Sequence, residues 1–220
     1  MSRYTILLGG ELVRTPALER QIAGTRIIAA DSGIGHAEAL DIVPELWVGD
    51  FDSAPQMLPE RLKAVPKREF PSDKDRTDGE LAVDIALEQG ASALVLAGAF
   101  GGARADHSFL HMTLALRLAE MGIDVILTSG AQEGRPLPHA PVEFDYAEGT
   151  LFSVLGFSEL AGLTVTGAKW PLDAVTVPFG SSLTMSNEVL KSNATGGRLR
   201  IDLARGRALL VAHPLTGKDG

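Results

Sequence analysis

Short apolar runs alternating with helical patterns, four of the runs followed by an acidic cluster, recur through the first part of the chain and constrain its fold more than any other feature. Runs at Tyr4 to Leu8, Arg26 to Ala30, Glu45 to Val48, Lys67 to Phe70, Ala93 to Ala97 and Asp124 to Thr128 read as strands. Helical patterns lie between them at Pro16 to Ala23, Gly35 to Leu40, Asp78 to Gln89 and His107 to Met121. Strands of this length alternating with helices require a mostly parallel, Rossmann-like sheet with helices on its faces. In the Asp78 stretch, Leu81, Ile85 and Leu87 form an apolar face, and Gly90 stands where a helix-ending glycine belongs.

The pattern changes at Gln132 to Pro141, where glycine and three prolines read as a linker. Beyond it, short alternating segments at Thr150 to Leu155, Gly162 to Thr166, Leu199 to Leu203 and Ala208 to Ala212 predict an antiparallel β-sandwich. The division expected is an α/β domain over 1–135 and a sandwich over 141–216. The 220 residues, 45% of them apolar, suffice for one large core or two modest ones.

Four acidic clusters fall just past strand ends: Asp31; Asp50 and Asp52; Asp73, Asp75 and Asp78; then Arg104, Asp106 and His107. Ligands of open α/β sheets bind at the carboxyl ends of the strands, so these loops converge on one site. Carboxylates gathered so closely repel one another until a cation neutralises them, and an all-oxygen donor set suits Mg²⁺ better than zinc. Taken singly, Gly49 to Ser53 also reads as a turn, and Asp73 to Asp78 as a solvated charge run that caps the following helix. The stretch Gly98 to His107 is a glycine-rich strand-to-helix connection whose backbone can approach phosphate, with Arg104 as a fork for phosphate oxygens. It is not a P-loop, because G-x-x-x-x-G-K-[ST] is absent. His107 and His111 stand one helical turn apart and, with no third ligand in the pattern, read as surface or packing residues.

Composition removes other classes. The chain has no cysteine, which excludes thiolate chemistry and disulfides and makes a reducing cytoplasm the expected compartment. A net charge of −8 with no basic stripe argues against nucleic acid. No apolar run is long enough for a membrane span, and the start MSRYTILLGG shows no export signal.

Together these motifs resemble the thiamine pyrophosphokinase family, in order and across nearly the whole chain. The elements are Ala30-Asp31-Ser32-Gly33, Gly49-Asp50-Phe51-Asp52-Ser53, Asp73-Lys74-Asp75-Arg76-Thr77-Asp78, the Gly-Gly-x-Arg-x-Asp-His element, Lys169-Trp170-Pro171-Leu172 and Ser186-Asn187-Glu188. The resemblance implies an α/β catalytic domain, a β-sandwich, and a homodimer with active sites between subunits. It implies diphosphate transfer from ATP to thiamine, with Mg²⁺ held by Asp50, Asp52 and Asp78. Asp31, Ser32 and Thr77 would lie with them, Arg104 and Asp106 would complete the cleft, and Ser186, Asn187 and Trp170 would line the thiamine side. The chain departs from the family pattern at Ala103, inserted before Arg104, at His111 where Asn is common, and at Ala168 where Gly is usual. The rivals are a diphosphokinase acting on a hydroxymethylpterin or another heterocyclic alcohol, and a catalytically silent nucleotide or thiamine sensor.

Overall fold

Strand β1 (Ser2–Leu7) carries the buried residues Tyr4, Ile6 and Leu7 and forms the middle of the first sheet. The computed structural model describes residues 2–52, 55, 57–73, 75–190 and 198–214. Ser53 and Lys74, named in the motifs above, and the expected domain limit at 216 lie outside the described residues. Two compact units divide the chain, Met1–Gly130 and Ala131–Gly220.

In the first unit, β1 is followed by α1 (Pro16–Ile22), β2 (Arg26–Ala30), α2 (Gly35–Ala39), β3 (Leu46–Gly49), α3 (Glu60–Lys63) and β4 (Lys67–Glu69). Then come α4 (Asp78–Glu88), β5 (Ala91–Ala97), α5 (Ala105–Glu120) and β6 (Asp124–Thr128). The strands lie in the order β6-β5-β1-β2-β3-β4, and each neighbouring pair runs parallel. The chain thus steps outward from β1 to β4, then returns to place β5 on the other side of β1. That reversal opens a crevice at the carboxyl ends of β1 and β5, where open α/β sheets take ligands. Leu7, Leu18, Ile34, Trp47, Leu62 and Val95 pack one core on this sheet. Thr15 caps α1 by accepting from Leu18 N at 3.1 Å.

The second unit contains β7 (Glu133–Pro136), β8 (Val142–Phe144), β9 (Leu151–Gly156), β10 (Leu160–Thr166), β11 (Leu172–Val177), β12 (Asn187–Glu188), β13 (Leu199–Arg205) and β14 (Ala208–His213). Its strands form the runs β12-β9-β14-β7 and β11-β10-β13-β8, antiparallel throughout. Phe152, Val154 and Leu210 from the first run meet Leu163, Ile201 and Leu203 from the second in a shared apolar core, which makes the unit a sandwich.

One expectation is corrected here. The segment Gln132 to Pro141 is not simply a linker, because β7 lies within it and pairs with β14, Gly134 opposite Val211. Glu133 anchors this strand, accepting from Arg135 Nε at 3.0 Å and from the Tyr146 hydroxyl at 2.7 Å. Among the described residues no helix is long and apolar enough to cross a membrane.

Candidate functional site

A pocket of about 520 Å³ opens at the carboxyl ends of the parallel strands, and all of its lining comes from the first unit. Asp31, Asp50 and Asp78 each offer it a carboxylate oxygen, and these atoms lie within 4.8 Å of one another.

Local structure holds each of the three in place. Asp31 follows β2 as the first residue of a 3-10 turn, with φ +44°, a left-handed conformation that Asp tolerates better than most residues. The buried Trp47 indole donates Nε1–H to the Asp31 carbonyl at 2.8 Å and so fixes that unusual turn. Trp47 is itself packed edge-on against Phe51, centroids 4.8 Å apart. Asp50 follows β3 and closes a tight turn by accepting from Asp52 N at 3.3 Å. Asp78 is the first residue of α4, set by a reciprocal cap. Thr77 Oγ1 accepts from Glu80 N, and the Glu80 carboxylate accepts from Thr77 N, each at 3.3 Å.

Burial raises the Asp31 carboxyl above its ordinary value; the Ser32 backbone opposes this, and the charges of Asp78, Asp52 and Asp50 add to it. Asp31 Oδ1 is buried with no hydrogen-bond partner among the described residues. An oxygen stripped of water beside two further carboxylates fits a hard divalent cation, which would supply the missing partner.

The expected residues divide as follows. Asp31, Ser32, Asp50, Thr77, Asp78 and Arg104 line the pocket. Asp52 is exposed and lies outside the trio, acting on it through charge. Asp106 is not in the lining. Its carboxylate is gripped by Arg104, Nε to Oδ1 at 3.0 Å and a terminal nitrogen to Oδ2 at 2.6 Å, which holds it down at about 2. Ser186, Asn187 and Trp170 belong to the second unit. Asn187 is buried and clamps Trp170 at both backbone ends, accepting from its N at 3.2 Å and donating to its O at 2.8 Å. Ser186 is exposed, and the Trp170 ring stays 55% exposed with Lys169 Nζ over it at 5.0 Å.

Sequence reading missed Gly9 and Gly10 after β1, and left His107 and His111 outside the site, although all four line the pocket. The strand-end rule applied to β1 finds the glycines. His111 is nearly buried, and burial pushes its imidazole below the ordinary value, against the Ala99 carbonyl that favours its charged form. The β1 and β5 loops touch backbone to backbone. A Cβ on Gly10 would lie 2.4 Å from Gly98 O, and one on Gly98 would lie 2.4 Å from Leu8 O.

This fold and acidic pocket define an α/β protein whose site stands at the strand ends of a parallel sheet, with a β-sandwich following in the chain. Residues 22–127 match the model of the thiamin pyrophosphokinase catalytic domain, and residues 140–195 match that of the thiamin pyrophosphokinase vitamin B1 binding domain. A thiamine pyrophosphokinase of Bacillus subtilis is 32% identical over 172 residues, 76% of this chain and 80% of that protein. A crystal structure of thiamine pyrophosphokinase from Bacillus subtilis superposes with TM-score 0.82 at 25% identity, covering 97% of this chain and 99% of that one. The yeast thiamin pyrophosphokinase structure shares the fold, TM-score 0.75 at 15% identity, over 99% of this chain and 88% of that one. The chain belongs to the thiamine pyrophosphokinase family, whose activity is the ATP-dependent diphosphorylation of thiamine.

Proposed function

We propose that this chain moves the terminal diphosphate of ATP onto the primary hydroxyl of thiamine, releasing AMP, with Mg²⁺ held by Asp31, Asp50 and Asp78. The observation that carries this reading is the carboxylate trio within 4.8 Å, one oxygen of which is buried with no hydrogen-bond partner among the described residues. Asp31 takes the place that the family resemblance gave to Asp52, which adds negative charge from just outside. Bound Mg²⁺ supplies neutralisation of phosphate charge and a fixed orientation for the diphosphate.

The protein's own groups do the rest by position and charge, as in other phosphoryl transfers. Arg104 and Arg76, both in the lining, offer cations to phosphate oxygens, and the glycine loops let backbone approach them. Asp78 in the lining and Asp106 beside Arg104 are the carboxylates that could accept the hydroxyl proton, and Asp106 is disfavoured because its ion pair with Arg104 holds it at about 2. Asp78 remains the acceptor in this reading. The acidic lining also suits the thiazolium cation of thiamine. Trp170 and Ser186 form the thiamine-facing surface, with Asn187 as the clamp behind Trp170. The active unit is a homodimer, a reading supported by the exposed Phe179, Leu183 and Met185 in the same part of the second unit.

The test is incubation with ATP, Mg²⁺ and thiamine, followed by chromatography. AMP and thiamine diphosphate in equal amounts are expected. ADP with thiamine monophosphate, or competition by a pterin and not by thiamine, contradicts the reading.

A further inference from the structure

Between β5 and α5 the chain passes through Gly98, Ala99, Phe100, Gly101, Gly102 and Ala103 before reaching Arg104. Five of these residues are glycine or alanine and bring little or no side chain to anchor the loop, yet Gly101, Gly102, Ala103 and Arg104 all face the pocket. Its start is tied to neighbouring strands: Gly98 N donates to Thr128 O at 2.8 Å, and Glu11 N donates to Phe100 O at 2.8 Å. Gly102 N donates to the exposed Glu11 carboxylate at 3.3 Å, and two further side-chain contacts come from α5. The His111 imidazole donates Nδ1–H to Ala99 O at 3.0 Å, which sets the tautomer, since a carbonyl can only accept. Ser108 Oγ donates to Gly101 O at 3.2 Å. Residues 108 and 111 are three apart on one helix and so share a face. Two donors from one rigid helix therefore grip two carbonyls of a loop in which Phe100 is the one large buried side chain.

We propose that His111 is a positioning residue for ATP binding: with Ser108 it clasps the glycine-rich loop to α5 and sets the loop backbone and Arg104 at the pocket. The bond to Ala99 is buried, so its loss leaves a carbonyl without water, whereas the Ser108 bond is exposed and contributes less. Only the δ nitrogen is used. Asparagine carries an N–H at the same number of bonds from Cα, so it keeps the clasp; leucine fills the space and loses it.

The inference rests on the functional reading above, and the experiment separates the two. Turnover of ATP and thiamine is measured for the wild type, His111→Asn and His111→Leu. His111→Leu is expected to raise KM for ATP by about fivefold to tenfold, the scale of one buried hydrogen bond, with kcat changed much less. His111→Asn is expected to stay within about twofold of wild type in both. An unchanged KM for ATP in His111→Leu, or equal damage in the two variants, overturns the clasp. Should His111→Leu not fold, Ser108→Ala decides: a raised KM for ATP supports the clasp and an unchanged one overturns it. A wild type that makes no thiamine diphosphate contradicts the functional reading alone. The clasp then stands or falls on direct titration of the same variants with Mg²⁺-ATP.

Discussion

Replacing Asp31 with asparagine should make the metal-free protein more stable while destroying its response to Mg²⁺. Asparagine fits the left-handed backbone at position 31 at least as well as aspartate, so the change tests charge and not conformation. Three carboxylates within 4.8 Å make three repelling pairs, and Asp31 takes part in two of them. Two unit charges at that separation repel by about 0.9 kcal/mol in a water-like dielectric, so losing two pairs relieves about 2 kcal/mol. Salt screening reduces this to about 1 kcal/mol, or roughly a 2–4 °C rise in Tm. The pH dependence has a defined sign. The folded Asp31 carboxyl lies above its ordinary 3.8, so its ionisation costs the folded state. That cost is absent below the unfolded value and complete once pH has risen past the folded one. The advantage of Asp31→Asn should therefore grow with pH across that window and persist at neutrality. Differential scanning fluorimetry with EDTA and with Mg²⁺ measures both arms. Wild type should rise in Tm with Mg²⁺ by mass action, and the variant should rise far less. A metal-free variant less stable than wild type, or equal Mg²⁺ shifts in the two proteins, would refute the reasoning.

Thr77→Ala removes the reciprocal cap with Glu80 and should destabilise the protein by about 1 kcal/mol, seen as a Tm loss of roughly 2–4 °C; an unchanged melt would show that the cap contributes nothing. Arg104→Ala should let the Asp106 carboxyl return from about 2 toward its ordinary value near 4, followed by carboxyl NMR titration. The ion pair is present above the unfolded carboxyl value and is lost as pH falls through about 2, so whatever stability it contributes separates the two proteins near neutrality and the difference should vanish in strong acid.

The parallel sheet was legible because its signal is local. Each strand of the first unit is a run bounded by polar turns, and α4 announces itself through Thr77, Glu80 and a periodic apolar face. The second unit hid more. β11 contains Asp173 and is mostly exposed, so it shows no clean alternation, and β7 holds Gly134 and Pro136, which locally argue against a strand. Its pairing with β14 comes from residues more than seventy positions away, which no local pattern reports. At the site, strand-end position found Asp31, Asp50 and Asp78. Spacing could not tell which of Asp50 and Asp52 turns inward, because the direction is set by the turn that Asp50 itself closes. His111 was unreadable as a pocket residue, since its position depends on how α5 lies against Ala99.

The contact of Gly10 with Gly98 has an evolutionary corollary. What a methyl group would strike on either side is a main-chain carbonyl, and main chain cannot be exchanged for something smaller. Neither position can admit a side chain by trimming its neighbour, so both must stay glycine for the two loops to meet. Change on this side of the pocket is thereby channelled into the residues standing on the loops, such as Ala103 and Ser32.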